Sequence, residues 1–233
     1  MLLQSTVSAL VFALLWSGAA LAQCGSLADD PVINSPYSAV RRVSTTKLNS
    51  DGTSSSTDET AQVARDSKGR TYHAGERRWT TMVDGKSVEL SETLVRIDDP
   101  VANTETKWDT SLKQVKVVHF SSLSEPTPAM RDRIEAFSFD GLAKRAGATK
   151  LGTREIQGLS VEGTRYQTEN STHECWFSPD LKLTVRKTDE FSDCAFTDQL
   201  EGISLQEPDV SRYLPPPDYS VKHVHIDLSR LPK

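Results

Sequence analysis

The segment ECWFSPDLKLTV, residues 174–185, decides the fold class because it reads as a complete β-hairpin. Pro179 and Asp180 are typical turn residues, and apolar and polar side chains alternate on both sides of them. A two-residue turn here places Trp176 opposite Leu183.

The two faces of this hairpin differ in polarity because side chains alternate along a strand. We expect one face to be buried, since it carries four apolar side chains: Trp176, Leu181, Leu183 and Val185. The same register places Cys175 opposite Thr184. We expect these two residues on the wetter face, together with Phe177, Lys182 and Arg186.

The rest of the chain repeats the same kind of pattern. Short alternating runs rich in Thr, Ser and Val are separated by turn signals at Asp51-Gly52, Gly69 and Asp84-Gly85. The first half therefore predicts a meander of about six strands, and the second half is again rich in strands. The pattern is typical of a mainly-β, antiparallel protein.

The N-terminal residues predict export. Residues 7–16 are almost entirely apolar, and Ala20-Leu21-Ala22 has the small–x–small pattern of a signal-peptidase site. We expect a signal peptide over residues 1–22 that is cleaved after Ala22. The mature chain would be periplasmic or extracellular, with a flexible segment at 23–36, a β domain at 37–219 and a C-terminal tail at 220–233.

Charge and hydropathy exclude two classes of partner. The formal charge of −5 comes from well-mixed acidic and basic residues, without the basic stripe of a nucleic-acid-binding protein. No second long apolar run follows the leader, so we expect no membrane span.

Residues 121–147 interrupt the β pattern and favour a helical or linker insertion. Thr127 is a suitable N-cap with Pro128 at the first helical position. Met130, Ile134 and Phe137 then form one apolar stripe. Two interpretations stay open: a lid that closes a cavity, or a linker whose single helical turn packs on a sheet edge.

The three cysteines are Cys24, Cys175 and Cys194. Gln23 occupies the position where a lipobox has a small residue, which disfavours lipid attachment at Cys24. A simple meander separates Cys175 from Cys194 by about 20 Å along the strand, too far for a disulfide. A structural role for these cysteines is favoured over redox chemistry, and their pairing stays open.

Sequence motifs of common enzymes and cofactor sites are missing, including the P-loop, the HExxH motif and the G-x-S-x-G elbow. We therefore expect no enzymatic activity, no catalytic residues and no cofactor. His223, His225 and Asp227 would share one strand face and are the best metal candidates, although a solvated tail is the favoured alternative. Five basic residues could form an anion site, with a solvated hairpin favoured instead: Arg65, Lys68, Arg70, Arg77 and Arg78.

Five stretches together carry a resemblance to known proteins: RDSKGRTY (65–72), IDDPVANTETKWDT (97–110), LGTREIQGLSVEGT (151–164), ECWFSPDLKLTV (174–185) and LQEPDVSRYLPPPDYSV (205–221). In this order they resemble a family of exported bacterial proteins of uncharacterised function. The closing pattern is also similar, more distantly, to the lipoprotein-carrier fold of outer-membrane lipoprotein-sorting proteins. The resemblance implies one strongly curved antiparallel sheet, a half-barrel over one or two short helices.

The resemblance also implies an open, apolar concave face that binds an acyl chain or a polypeptide. We therefore expect an exported, non-enzymatic binding protein whose partner is a lipid or an envelope protein. The residues expected to line the site are Met130, Ile134, Phe137, Trp176, Leu183 and Val185. The alternatives are an interaction protein of the cell envelope without a ligand cavity and, behind it, a metal-binding protein or a hydrolase.

Overall fold

The computed structural model describes residues 32–49, 51–83, 86–121 and 147–227. Several predictions fall outside these residues: the signal peptide, Cys24, the turn at Asp84-Gly85, and nearly all of the insertion with Met130, Ile134 and Phe137. Within the described chain, no helix is both long and apolar enough to cross a membrane.

The described residues form twelve strands and one short 3-10 helix at Val210–Tyr213. The strands are β1 (Tyr37–Leu48), β2 (Ser54–Arg65), β3 (Thr71–Val83), β4 (Lys86–Asp99), β5 (Thr104–Asp109), β6 (Gln114–Phe120), β7 (Thr149–Ile156), β8 (Leu159–Gln167), β9 (Ser171–Ser178), β10 (Leu183–Phe191), β11 (Cys194–Ser204) and β12 (Ser220–Ile226). The predicted mainly-β class is confirmed.

All twelve strands belong to one open, curled sheet with the order β12-β6-β5-β4-β3-β2-β1-β11-β10-β9-β8-β7. The predicted single curved antiparallel sheet is therefore confirmed, including the meander β1–β6. The centre of the sheet is the antiparallel pair of β1 with β11, which joins the two halves of the chain.

The last strand corrects one prediction. Ser220–Ile226 is not a loose tail but β12, which pairs in parallel with β6 over seven residues, from Ser220 opposite Gln114 to Ile226 opposite Phe120. Val224 and Ile226 alternate with His223 and His225, which is a strand pattern. The described part of the predicted tail thus covers one edge of the sheet.

The hairpin of β9 and β10 has a different register from the predicted one. Its loop has four residues, 179–182, and Ser178 pairs with Leu183. A bulge at Val185 then shifts the pairing, so Trp176 lies opposite Arg186 and Cys175 opposite Lys187. The longer loop tucks Leu181 into the core, where Ser178 Oγ accepts a hydrogen bond from the Leu181 amide (3.3 Å).

The burial of this hairpin is partly as predicted. The four apolar residues expected inside are 0–6 % exposed: Trp176, Leu181, Leu183 and Val185. The prediction for Cys175 is wrong, because it is buried as well and its Sγ lies 3.6 Å from Oγ1 of the buried Thr184. Both faces of β9 are therefore covered at Cys175 and Trp176, whereas Phe177 is exposed as predicted.

The register also separates Cys175 from Cys194. Cys175 is opposite Lys187, whereas Ala195, next to Cys194, is opposite Glu190. The two cysteines are about four residues apart along the strands, or roughly 13 Å. The expectation that they do not form a disulfide with each other is confirmed.

The sheet buries two apolar cores, which lie on its opposite faces and are both adjacent to β2. The first contains Trp176 and Leu183 with Tyr37, Ala39, Val63, Leu159, Val161, Leu181, Val185 and Leu200. The second contains Val95, Ile97, Trp108, Val115 and Tyr213. Val63 belongs to the first, whereas its neighbour Ala64 pairs with Tyr72, which packs against the second.

We predict that Gly163→Ala destabilises the protein by about 1–3 kcal/mol because of overpacking. A Cβ atom at Gly163 would lie 2.5 Å from Cζ3 of Trp176 and 2.9 Å from Cβ of Leu151. Without this clash, Gly to Ala would be neutral or stabilising by about 0.4–1 kcal/mol, so the sign of the change is diagnostic. Urea unfolding is the measurement, and the exposed Ser160→Ala on the same strand is the control. Equal stability of the Gly163→Ala variant and the wild type would contradict this packing.

Candidate functional site

Trp176, the centre of the predicted site, has both faces of its ring covered. One face lies against Gly163, its partner on β8. The guanidinium carbon of Arg154 lies over the indole, 3.5 Å from the ring centroid, and forms a cation–π contact. The indole is 5 % exposed, so a ligand reaches it only if a neighbouring side chain moves.

The polar edge of the indole is bound to Glu174. Trp176 Nε1 donates to Glu174 Oε1 at 2.6 Å, and Arg165 Nη2 donates to Oε2 at 2.6 Å. Burial raises the pKa of the Glu174 carboxyl, but these hydrogen bonds outweigh it and hold the pKa below its ordinary value. Glu174 is therefore ionised at neutral pH and fixes the orientation of the ring.

Leu183 and Val185 are brought together with Trp176 in the first core, but they contact side chains rather than an open cavity. They are 4 % and 0 % exposed. Their role in ligand binding stays a prediction, as does that of Met130, Ile134 and Phe137, which lie outside the described residues.

Exposed apolar surface lies elsewhere, on the hairpin of β3 and β4. The pairing of β2 with β3 ends at Ala61 opposite Gly75, and the pairing of β4 with β5 begins at Leu94 opposite Asp109. Residues 76–83 and 86–93 pair only with each other within the described part of the chain. We call them the β3–β4 ribbon, which extends about 26 Å beyond the sheet.

The ribbon and β2 leave two open backbone edges. Residues 54–60 of β2 pair with β1 on one side, and no pair joins them to residues 76–83 among the described residues. The sheet therefore opens into a gap after Gly75. Unpaired N–H and C=O groups along such edges are a template for another strand.

One face of β4 carries an apolar stripe that begins on the ribbon and ends at the residue next to its base. Leu90 and Leu94 point to the same side of β4, and they are 39 % and 41 % exposed. Leu94 pairs with Gly75, which pairs with Ala61, so these three residues form one row across the sheet. The next row on the same face contains Val63 of the first core. The stripe is thus continuous with the face that buries the first core at β2.

Three described members of the predicted basic cluster, Arg65, Arg70 and Arg78, have separate partners and do not share one anion site. Arg65 is 1 % exposed and donates to the carbonyl oxygens of Ser35 (3.0 Å) and Leu181 (2.5 Å). Arg70 pairs with Asp66 at 2.7 Å and Arg78 with Glu76 at 2.8 Å. The segment is instead a structural turn with exposed ion pairs beyond it.

The histidines of β12 have a partner that the sequence did not suggest. His119 of β6 stacks on His223 and His225 with ring centroids 5.2 and 4.7 Å away. His119 Nε2 and His223 Nδ1 are 2.9 Å apart. No set of three or more side chains suited to hold a metal occurs among the described residues.

A shallow hollow lies between the ends of β3, β4, β5 and β6. Its volume is about 180 Å³, and it is lined by Thr71, Asp98, Asp99, Pro100, Asn103, Thr104 and Phe120. Binding pockets for small molecules usually measure about 300–1,000 Å³. The hollow is too small for an acyl chain.

No protein-family model and no curated protein matches the chain. Several solved structures are distantly similar. PNGF-II has 10 % sequence identity and a TM-score of 0.40 over 84 % of this chain and 32 % of its own. MucB in complex with MucA(peri) has 10 % identity and a TM-score of 0.41 over 81 % and 56 %.

A LolA-superfamily protein from Nitrosomonas europaea has 7 % identity and a TM-score of 0.32 over 78 % of this chain and 90 % of its own. The structural neighbours thus include the lipoprotein-carrier group that the sequence motifs resemble. The chain spans about a third of PNGF-II and just over half of MucB. Similarity of this degree does not define a shared function.

Tyr213 generates a prediction about pH dependence. Its ring lies beneath Arg70, at 4.6 Å from the guanidinium carbon, and its buried hydroxyl has no hydrogen-bond partner among the described residues. Burial, together with the charge of Asp66, raises the pKa of Tyr213 well above its ordinary value of about 10. The folded protein therefore keeps this proton at a pH where the unfolded chain loses it.

We predict that the free energy of unfolding of the wild type falls by about 1.4 kcal/mol per pH unit above pH 10 relative to Tyr213→Phe. At pH 7 the variant should be as stable as the wild type or about 1 kcal/mol more stable, because an unsatisfied hydroxyl is removed. Urea titrations between pH 7 and 11.5 measure both effects. A constant difference across this range would show that Tyr213 ionises freely in the folded state.

Proposed function

We propose that the chain is an exported binding protein that holds an extended, amphipathic segment of an envelope polypeptide along the β3–β4 ribbon. The observation that carries the proposal is the gap after Gly75, where two unpaired strand edges stand beside an exposed apolar stripe. An added strand would satisfy the backbone groups of such an edge.

The low stability expected of the ribbon by itself supports the proposal. An isolated two-stranded hairpin is marginal in water, and three or more strands with an apolar face are needed for independent stability. The ribbon has only two strands over residues 76–83 and 86–93. A third strand from a partner would convert it into a stable sheet and cover Leu90 and Leu94.

The chemistry of the edge favours a polypeptide over a lipid. Open N–H and C=O groups alternate along residues 76–83 and match another backbone, whereas an acyl chain offers them no hydrogen bond. Glu92 lies between Leu90 and Leu94 on the stripe, and Glu76 and Arg78 are exposed near its base. A segment with alternating apolar and polar side chains fits this surface.

The predicted residues of the first core enter the proposal in a different place. Trp176, Leu183 and Val185 would form the floor from which the exposed stripe continues, and the stripe of Met130, Ile134 and Phe137 would cover the bound segment. A purely structural interaction protein without a ligand cavity is the alternative, and the filled space around Trp176 favours it over a lipid carrier.

We predict that Leu94→Asp prevents recovery of the partner while the fold is kept, because Leu94 is 41 % exposed. Tagged wild type and variants are purified from the native cell envelope after mild crosslinking, and the bound polypeptide and lipid are identified by mass spectrometry. Val101→Asp, at a 75 % exposed apolar position in the β4–β5 turn, is the matched control.

One polypeptide should accompany the wild type and Val101→Asp in stoichiometric amount, and its recovery with Leu94→Asp should fall at least tenfold. Slower hydrogen exchange at residues 76–83 in the complex would place it on the proposed edge. Equal recovery with Leu94→Asp would refute the site, and stoichiometric lipid without a polypeptide would refute the partner class.

A further inference from the structure

A second group of side chains, remote in sequence from the ribbon, has the arrangement of a proton relay. Ser171 Oγ lies 2.7 Å from Nε2 of His173, and His173 Nδ1 lies 2.7 Å from Oδ1 of Asp189. The three groups follow the order nucleophile, base and carboxylate of serine hydrolases. Serine and histidine are two residues apart on β9, so they share a face, and Asp189 is the partner of His173 on β10.

The network fixes which imidazole nitrogen carries the proton. Ionised Asp189 only accepts hydrogen bonds, so His173 Nδ1 must donate to it. Nε2 of the neutral ring is then an acceptor and faces the hydroxyl of Ser171. This is the tautomer that a general base needs.

Neighbouring side chains hold the ring and the carboxylate in place. The ring of Tyr166 stacks on His173 with centroids 4.5 Å apart, and Phe191 packs edge-on at 5.8 Å. Lys187 Nζ lies 2.9 Å from the second oxygen of Asp189 and forms an ion pair with it. His173 and Asp189 are 4 % and 1 % exposed.

The serine, in contrast, lies at the turn end of the β8–β9 hairpin. It is half-buried, and residues 168–170 of the adjoining turn are exposed. Oγ1 of Thr168 lies 2.6 Å from Ser171 Oγ, and the Thr168 amide donates to the Ser171 carbonyl oxygen at 2.8 Å. A substrate carbonyl can thus approach the hydroxyl from solvent while the base and the carboxylate stay shielded from water.

We propose that Ser171, His173 and Asp189 form a serine-dependent ester-hydrolysing site, an activity beyond the proposed binding function. Ser171 Oγ attacks the carbonyl carbon of the ester, and its proton passes to His173 Nε2. The bond to the alcohol oxygen breaks, and His173 returns the proton to that oxygen. Water then attacks the acyl-serine with the same base, releases the carboxylic acid and restores Ser171.

The surroundings define the substrate class. Ser171 stands at the end of a strand, next to the exposed residues 168–170 of the turn. Carboxylic esters with a short or flexible acyl group reach such a position. Ser171 and His173 are the catalytic residues, whereas Asp189 and Lys187 are positioning residues that act through His173.

A fluorophosphonate probe tests the nucleophile directly, because an activated serine displaces fluoride and keeps the phosphoryl group. The wild type should gain one label, located on Ser171 by peptide mass spectrometry. It should also hydrolyse p-nitrophenyl acetate about 100-fold or more faster than Ser171→Ala, the range expected for general-base catalysis. Ser160→Ala, an exposed serine on β8, is the matched control and should behave as the wild type.

The buried base and carboxylate need variants that separate catalysis from folding. His173→Gln should lose labelling, with its fold checked by circular dichroism. Asp189→Asn should slow labelling and Asp189→Glu should restore part of the rate, because only a carboxylate holds the proton of His173 on Nδ1 and leaves Nε2 as the base; equal labelling by Asp189→Asn and the wild type would deny Asp189 its role. If any of these variants fails to fold, the comparison of Ser171→Ala with the wild type tests the proposal by itself, because the Ser171 side chain lies at the end of the hairpin.

Absence of label on the wild type, or equal ester hydrolysis by Ser171→Ala, would overturn the proposal. Leu94→Asp should label as fast as the wild type, because the ribbon does not contact this site. Failure of the relay and failure of the binding function are therefore measured independently.

Discussion

The architecture depends on one buried cation, the guanidinium of Arg65. A charge of this kind is costly to bury unless hydrogen bonds satisfy it. Arg65 donates to the carbonyl oxygens of Ser35 and Leu181, and its guanidinium carbon lies 5.2 Å from the centroid of the Tyr37 ring. The end of β2, the start of β1 and the loop of the β9–β10 hairpin are thus held at one point, although the last is more than a hundred residues away in sequence.

This anchor explains why the sheet can bury two cores at once. Residues 63–66 are all buried, so both faces of β2 are covered at its end. The next residue of the turn, Asp66, accepts hydrogen bonds from the amides of Lys68 and Arg70 and from the Arg70 side chain. Farther from this corner, the pairing of β2 with β3 ends at Gly75, among the described residues.

The sequence allowed the strand class, the meander and the buried face of the β9–β10 hairpin to be predicted, because each depends on local alternation. It did not allow the register of that hairpin, since Lys182 adopts a positive φ of 51° and the bulge at Val185 shifts the pairing. Neither feature has a strong residue signature, because lysine rarely adopts such a φ. Predicted burial of Trp176, Leu183 and Val185 was correct, whereas polarity alone misplaced Cys175.

Neither the stacked histidines of β6 and β12 nor the group of Ser171, His173 and Asp189 was predicted from the sequence, and the reason is different. His119 meets the histidines of β12 only through a parallel pairing, and His173 meets Asp189 only in the observed register of β9 and β10. Ser171 and His173 did carry a local signal, their spacing of two on one strand. That signal identifies a relay only when the facing strand supplies a carboxylate, which no local pattern reveals.

The pairing of β1 with β11 has a consequence for how the chain acquires its shape. Ser38 pairs with Ser204, so the central seam closes a loop that includes most of the molecule. Long loops of this kind must be closed at the expense of chain entropy before their contacts form, and folding rates fall as the mean separation of contacts grows. In a chain emerging from its N-terminus, β1 would therefore wait for β11, and until β11 pairs with it β1 would offer a bare edge to any other polypeptide nearby.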